Sequence, residues 1–207
     1  MMSIGPLLVR VALLLALLAL AVRWFERRSL FAPSRTWWTR RNARAWPSRT
    51  SGSWRRMLVR CTAGGFPTRR RAAPSCTATA MPPTSGIDID LARDLHRLRV
   101  NVFLFDYRGY GRSKGWPTEQ GTYRDARAAY EVVRARYADA EQPPVIVYGA
   151  SLGGAIAVQL ALDKPVRGLI LEGAFTSTID VGRHLYPLLP VRLVVRYRYD
   201  ALSRIPA

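Results

Sequence analysis

Val145 to Gly154, read V-I-V-Y-G-A-S-L-G-G, is the stretch whose reading decides the fold. Val145 to Tyr148 is a short, apolar, β-prone run that begins just after Pro143-Pro144, so it reads as a buried strand. Leu152 to Leu162 is rich in Ala and Leu and reads as a helix. Between them lies G-A-S-L-G, Gly149 to Gly153. A strand that reverses into a helix this tightly forces its central residue into strained backbone angles. It also crowds the positions two before and two after, which favours Gly149 and Gly153 there. Ser151 is then held above the sheet edge as a candidate nucleophile. The backbone N–H of Leu152, at the helix N-terminus, points to where an oxyanion would form, and the helix dipole adds to its stabilisation.

Outward from this turn the pattern repeats. Val100 to Phe105 (VNVFLF) predicts a second buried strand, preceded by a helix from about Asp90 to Leu98 and ended by Asp106 and the loop YRGYGRSKGWP. From Thr118 to Ala138, Tyr123, Ala126, Tyr130, Val133 and Tyr137 recur at spacings of three and four, which predicts an amphipathic helix. Thr122 with Asp125 resembles a capping box near its start. Val166 to Leu171 (VRGLIL) predicts a third strand. Strands alternating with helices, with no short hairpin turns, imply parallel pairing by right-handed crossovers and hence an α/β sheet.

In this order and spacing, NVFLFDYRGYGRSKG, VIVYGASLGGAIAVQLA and GLILEGAFTS resemble the membrane-anchored α/β-hydrolases related to the depalmitoylating acyl-protein thioesterases. The resemblance runs from about Leu91 to the end of the chain. It implies an α/β-hydrolase fold, here incomplete, with Asp106 to Gly111 as a structural loop and Glu172 to Ser177 lining the site. Asp106 precedes Ser151, whereas this fold supplies its acid after the nucleophile, so Asp106 is read as structural.

A serine hydroxyl needs a general base, usually a histidine oriented by a carboxylate. The chain has two histidines, His96 and His184. His96 falls in the helix predicted before the VNVFLF strand. His184 follows the third predicted strand, in a region that forms a cap-like excursion in the family. Neither is the expected base. By the resemblance, the catalytic acid and histidine follow a strand beyond Ala207, so the 207-residue chain is read as a fragment.

From Ile4 to Val22 the chain is apolar apart from Gly5 and Arg10. That is about the length needed to cross a bilayer core of about 30 Å. Trp24 and Phe25 follow as interfacial anchors, then Arg27 and Arg28, whose charge favours keeping the rest of the protein on the cytoplasmic side. The alternative is a cleaved signal peptide, because Ala19-Leu20-Ala21 fits a small-x-small cleavage pattern.

The net charge of +18 would suggest nucleic acid or an anionic surface as partner. Mapping the charge removes that inference. Between Trp37 and Gly86 stand ten arginines with no Lys, Asp or Glu, and in no periodic pattern. Cys61 and Cys76 fall in the same segment without the spacing of a zinc or redox site. Relatives have their first strands and an HGN loop in this part of the chain. If the third base of each codon is joined to the first two of the next, Trp37-Trp38-Thr39 spells V-D, Cys61 to Gly64 permits LHGW, and Cys76 to Thr79 permits HGN. The expectation is a pair of compensating frameshifts, one just before Trp37 and one between Gly86 and Leu91. Nucleic-acid binding then loses its support.

The organisation expected is a membrane anchor over 1–28, an irregular Arg-rich segment over 29–86, out of frame or disordered, and a partial α/β-hydrolase domain over 87–207. The activity expected is hydrolysis of an ester or thioester through an acyl-enzyme on Ser151, on an acylated protein or lipid, with little turnover from this polypeptide. No metal or other cofactor is implied. The alternative is a non-catalytic, membrane-tethered α/β module or an inert gene product.

Overall fold

The computed structural model describes residues 4–31, 49–50, 63–66, 76–79, 95, 101–110, 113–135 and 144–205. A long helix, α1 (Ile4–Leu30), leads into a six-stranded sheet. The strands are β1 (Arg49–Thr50), β2 (Ala63–Phe66), β3 (Cys76–Thr79), β4 (Asn101–Phe105), β5 (Val145–Ala150) and β6 (Gly168–Glu172). Helix α2 (Glu119–Ala135) connects β4 to β5, and α3 (Leu152–Asp163) connects β5 to β6. Beyond β6 come α4 (Thr178–Leu185), the single turn α5 (Val191–Val194) and a 3₁₀ turn at Leu202–Arg204.

The strand order is β1-β2-β4-β3-β5-β6. The parallel pairing expected from the strand–helix alternation is found for β3 with β4, β3 with β5, and β5 with β6. It does not extend to the far edge, where β2 runs antiparallel to both β1 and β4. Three of the six strands come from within 29–86, where the sequence shows no strand pattern. β3 is inserted between β4 and β5, so its pairing rests on backbone ladders on both sides, which any non-proline sequence can make. The helix predicted over 90–98 lies outside the described residues, apart from Leu95.

The core forms where α2 and α3 cover the parallel strands. α3 buries Leu152, Ala155, Ile156, Ala157, Val158 and Leu160, which explains why its sequence is apolar nearly all round. α2 buries a stripe including Tyr123, Ala126, Ala129, Tyr130 and Val133, the spacing read from the sequence. Its exposed side is tied to the end of α3 by Arg127 with Asp163 at 2.6 Å and by Lys164 with Glu131 at 2.5 Å. The capping expected of Thr122 and Asp125 is corrected. The helix starts earlier, where Gly121 N–H donates to Thr118 Oγ1 at 3.1 Å. Thr122 lies inside the helix, its hydroxyl bonded to the Glu119 carbonyl and to the Tyr199 hydroxyl. Asp125 instead accepts three hydrogen bonds from Arg108, from its backbone N–H at 2.9 Å, Nε at 2.9 Å and Nη2 at 2.7 Å.

α1 does not stand clear of the domain. Phe31 is buried with edge-on contacts to Tyr197 and Tyr199. Glu26 is buried too, and its Oε1 accepts the N–H groups of Arg196 at 2.5 Å and Tyr197 at 2.8 Å. Among the described residues its Oε2 has no hydrogen bond and pairs with Arg23 Nη1 at 3.8 Å. Nearer the N-terminus, Leu8, Leu13, Leu14, Leu17 and Leu18 are exposed, and α1 is long and apolar enough to cross a membrane.

Candidate functional site

At the junction of β5 and α3 the backbone turns through Ser151 with φ 50° and ψ −120°. A non-glycine residue in that region costs about 1–3 kcal/mol and persists only where its surroundings fix it. They do so on three sides. Ser151 N–H donates to the Glu172 carbonyl at the end of β6 at 3.0 Å. Its own carbonyl accepts from Gly154 N–H at 3.0 Å. A side chain at Gly149 would stand 2.4 Å from the Gly153 carbonyl oxygen and 2.7 Å from Ala157 Cβ, so the strand can enter the turn only without one.

Alongside Gly149, the second close approach is at Gly154, whose added Cβ would lie 2.6 Å from Ala174 Cβ, just after β6. The G-G pair after Leu152 was the signal for it. Glu172 to Ser177 were expected to line the site, and the Glu172 carbonyl and Ala174 do abut the turn. Ser151 is exposed, and its side chain makes no capping hydrogen bond to α3. Leu152 is buried and opens α3, and in its first turn the Gly154 N–H is taken by the Ser151 carbonyl. The Ser151 hydroxyl is thus exposed at the positive end of α3.

The other polar residues singled out from the sequence do not converge on Ser151. Asp106 is buried at the end of β4, and its carbonyl accepts from Ser113 Oγ at 2.9 Å, which ties the loop to itself. His184 is exposed in the last turn of α4, and among the described residues no hydrogen bond joins it to Ser151 or to a carboxylate. His96 lies outside the described residues. Among the described residues no cluster of His, Cys, Asp and Glu could hold a metal ion.

Following the site, α4 begins with a cap that the sequence reading missed. Ser177 Oγ accepts from Asp180 N–H at 3.0 Å, and the Asp180 carboxylate accepts from Ser177 Oγ at 2.7 Å and Thr176 Oγ1 at 2.8 Å. The spacing Ser177-x-x-Asp180 carried the signal. These hydrogen bonds, that from Ser177 first, hold the Asp180 carboxyl below its ordinary value, helped by Arg183 and Arg192. A carboxyl lowered in the folded state stabilises above the ordinary carboxylate range and loses that contribution as pH falls through it. The start of α4 is therefore expected to loosen first in acid. Amide exchange at Val181, whose N–H donates to the Ser177 carbonyl, should accelerate below about pH 4 relative to α3, and Asp180→Asn should abolish the pH dependence.

Comparison with known proteins places these features in a family. The family described as serine aminopeptidase, S33, matches residues 83–199. An uncharacterised protein of Mycobacterium tuberculosis is 44% identical over 116 residues, covering 56% of this chain and 41% of its own. The α/β-hydrolase domain-containing protein WAV2 of Arabidopsis thaliana is 42% identical over 97 residues, covering 46% of this chain and 31% of its own. The chain thus spans less than half the length of these relatives. Among solved structures, an α/β-hydrolase of Vibrio vulnificus superposes with a TM-score of 0.54 at 19% identity, covering 72% of this chain and 56% of that one.

Proposed function

The chain belongs to the serine aminopeptidase S33 family of the α/β-hydrolase superfamily, and from that premise we propose that Ser151 is the nucleophile of an acyl-transfer site acting on esters or thioesters. The observation that carries this reading is the strained, exposed Ser151 at the β5–α3 turn, with its N–H held by the Glu172 carbonyl and the N-terminus of α3 directly after it. In the reaction, Ser151 Oγ adds to the acyl carbon and its proton passes to a general base. The carbonyl electron pair moves onto oxygen, where the Leu152 N–H holds the negative charge. Collapse of this intermediate expels the alcohol or thiol and leaves the acyl group on Ser151. Water then releases it as the acid. Neither a metal nor an organic cofactor is needed for this chemistry.

The domain is anchored by α1, with residues 4–22 in the bilayer and Arg27 and Arg28 on the cytoplasmic side. Anchoring favours substrates presented at a membrane, acylated protein or lipid, and the likeness of the three sequence blocks to thioesterase-related hydrolases favours esters and thioesters over peptides.

A second reading, a tethered module that does not turn over substrate, is favoured by the position of His184, which makes no hydrogen bond to Ser151. The two separate in one assay. With p-nitrophenyl esters and acyl thioesters of graded chain length, the full chain in detergent should show slow hydrolysis that Ser151→Ala reduces to the uncatalysed rate. Cleavage of amino-terminal peptide substrates at a higher rate than esters would displace the ester reading. No Ser151-dependent hydrolysis of either would favour the non-catalytic module.

A further inference from the structure

The connection between α4 and α5 exposes apolar surface that the acyl-transfer reading does not use. Leu188 is 97% exposed and Leu193 87%, and Leu185, Tyr186 and Leu189 are exposed beside them. They occupy a fixed turn. Leu189 N–H donates to the Tyr186 carbonyl and Val191 N–H to the Leu189 carbonyl, and the side chain of Val191 packs so closely on Gly182 that an added Cβ there would stand 2.7 Å from it. Solvent-exposed leucines on a rigid turn are characteristic of a surface meant to be covered.

Its neighbour identifies the cover. Tyr186 meets Phe25 of α1 edge-on, with ring centroids 5.9 Å apart. Phe25 lies three residues beyond Val22, about 4.5 Å further along the helix at 1.5 Å per residue. If residues 4–22 cross the bilayer, Phe25 is at headgroup depth, and the patch is held beside it at the same depth. The Glu26 carboxylate, bonded to the Arg196 and Tyr197 N–H groups, and the buried Phe31 fix the domain against the end of α1, so the patch cannot swing away from the helix. Arg183, Arg192 and Arg196 are exposed in the same stretch of chain as the leucines, and Arg23, Arg27 and Arg28 are exposed on α1. Exposed leucines interspersed in sequence with exposed arginines, next to aromatic anchors, match an interface whose headgroups are anionic.

We propose that the α4–α5 turn, through Leu185, Leu188, Leu189 and Leu193, is a second membrane contact that seats the domain in the interfacial layer of an anionic bilayer. This rests on α1 being the membrane anchor and is independent of chemistry at Ser151. The test uses the full chain carrying Cys61→Ser and Cys76→Ser, with one cysteine introduced at a time by Leu188→Cys, Leu193→Cys, Leu14→Cys or Trp116→Cys. Each is labelled with an environment-sensitive fluorophore and reconstituted into vesicles of phosphatidylcholine with or without phosphatidylglycerol.

All four positions are exposed, so the substitutions leave the fold intact. Labels at 188 and 193 should be blue-shifted and quenched more strongly by lipids carrying a shallow nitroxide than by lipids carrying a deep one, and more so with phosphatidylglycerol. The label at 14 should be quenched by the deep nitroxide, and that at 116 by neither. The proposal is overturned if 188 and 193 report water as 116 does. It is equally overturned if they are shielded without lipid quenching, which would mean that protein, such as a second copy of the chain, covers the patch. Loss of quenching at 14 as well would remove the anchor together with the proposal, whatever the behaviour of Ser151.

Discussion

Asp125→Ala is expected to destabilise the domain by about 3–5 kcal/mol, the cost of stripping one partner from a buried ion pair. The Asp125 side chain is fully buried, and the Arg108 side chain is 17% exposed. Removing the carboxylate costs the guanidinium two hydrogen bonds and the Arg108 backbone N–H one, and unties the loop after β4 from α2. Asp125→Asn can still accept from Arg108 and should cost less. Asp163→Ala breaks the exposed pair with Arg127 and should cost under about 1 kcal/mol. Denaturant unfolding of the three variants in detergent, followed by circular dichroism, gives the ranking. Equal losses for Asp125→Ala and Asp163→Ala would contradict the assignment of Arg108–Asp125 as the buried tie.

The second large effect is expected at Gly149. In Gly149→Val, Cβ alone would sit 2.4 Å from the Gly153 carbonyl oxygen, and both groups belong to the backbone of the turn, so no side chain can move aside. Relief requires β5 and the start of α3 to part. Overpacking of this kind costs about 1–3 kcal/mol. The functional loss should exceed the loss of stability, because a displacement near 1 Å of a reacting group costs on the order of 100-fold in rate. Phosphonylation of Ser151 by a fluorophosphonate, in which Oγ displaces fluoride at phosphorus, should therefore fall by about that factor in the fraction of protein that remains folded. A variant that folds and is phosphonylated at the parent rate would show that the close approach does not position Ser151.

The fold was legible where side-chain pattern and backbone requirement agree. At the β5–α3 turn, the apolar run into Gly149 and the Ala-rich run after Ser151 each demand one structure, and the glycine spacing dictates how they join. The far side of the sheet was not legible by the same route. Over Ala63 to Phe66 and Cys76 to Thr79 no alternation of apolar and polar residues marks a strand, and what defines the strands there is their backbone pairing. Only the resemblance placed the family's first strands in that part of the chain.

Antiparallel β2 escaped for the same reason, since the parallel rule was inferred from segments that alternate with helices. The roles of Asp125 and Glu26 were hidden differently. Each is an acidic residue on an otherwise apolar or packed face, and its partners lie in a distant segment that local periodicity does not reach. Asp125, beside Tyr123 and Ala126 on the buried stripe, was a visible anomaly that the capping reading explained too locally.

The candidate site was half legible. Gly149, Ser151 and Leu152 lie at the junction of β5 and α3, where the apolar run and the Ala-rich run predict it. The contribution of β6, where the Glu172 carbonyl takes the Ser151 N–H and Ala174 presses on Gly154, follows from strand order, which the sequence does not state. Among the described residues no histidine is joined to Ser151 by a hydrogen bond, so on the proposed reading the site would work through its oxyanion donor and its geometry. In serine hydrolases, catalysis left after loss of triad members is about 10³–10⁴-fold over water.

The most direct test of the central claim is to treat the full, folded chain with a fluorophosphonate and locate the adduct by peptide mass mapping. The account predicts slow, single-site modification at Ser151 that is absent from Ser151→Ala. An adduct on another residue, or no adduct on folded protein after prolonged exposure, would contradict it.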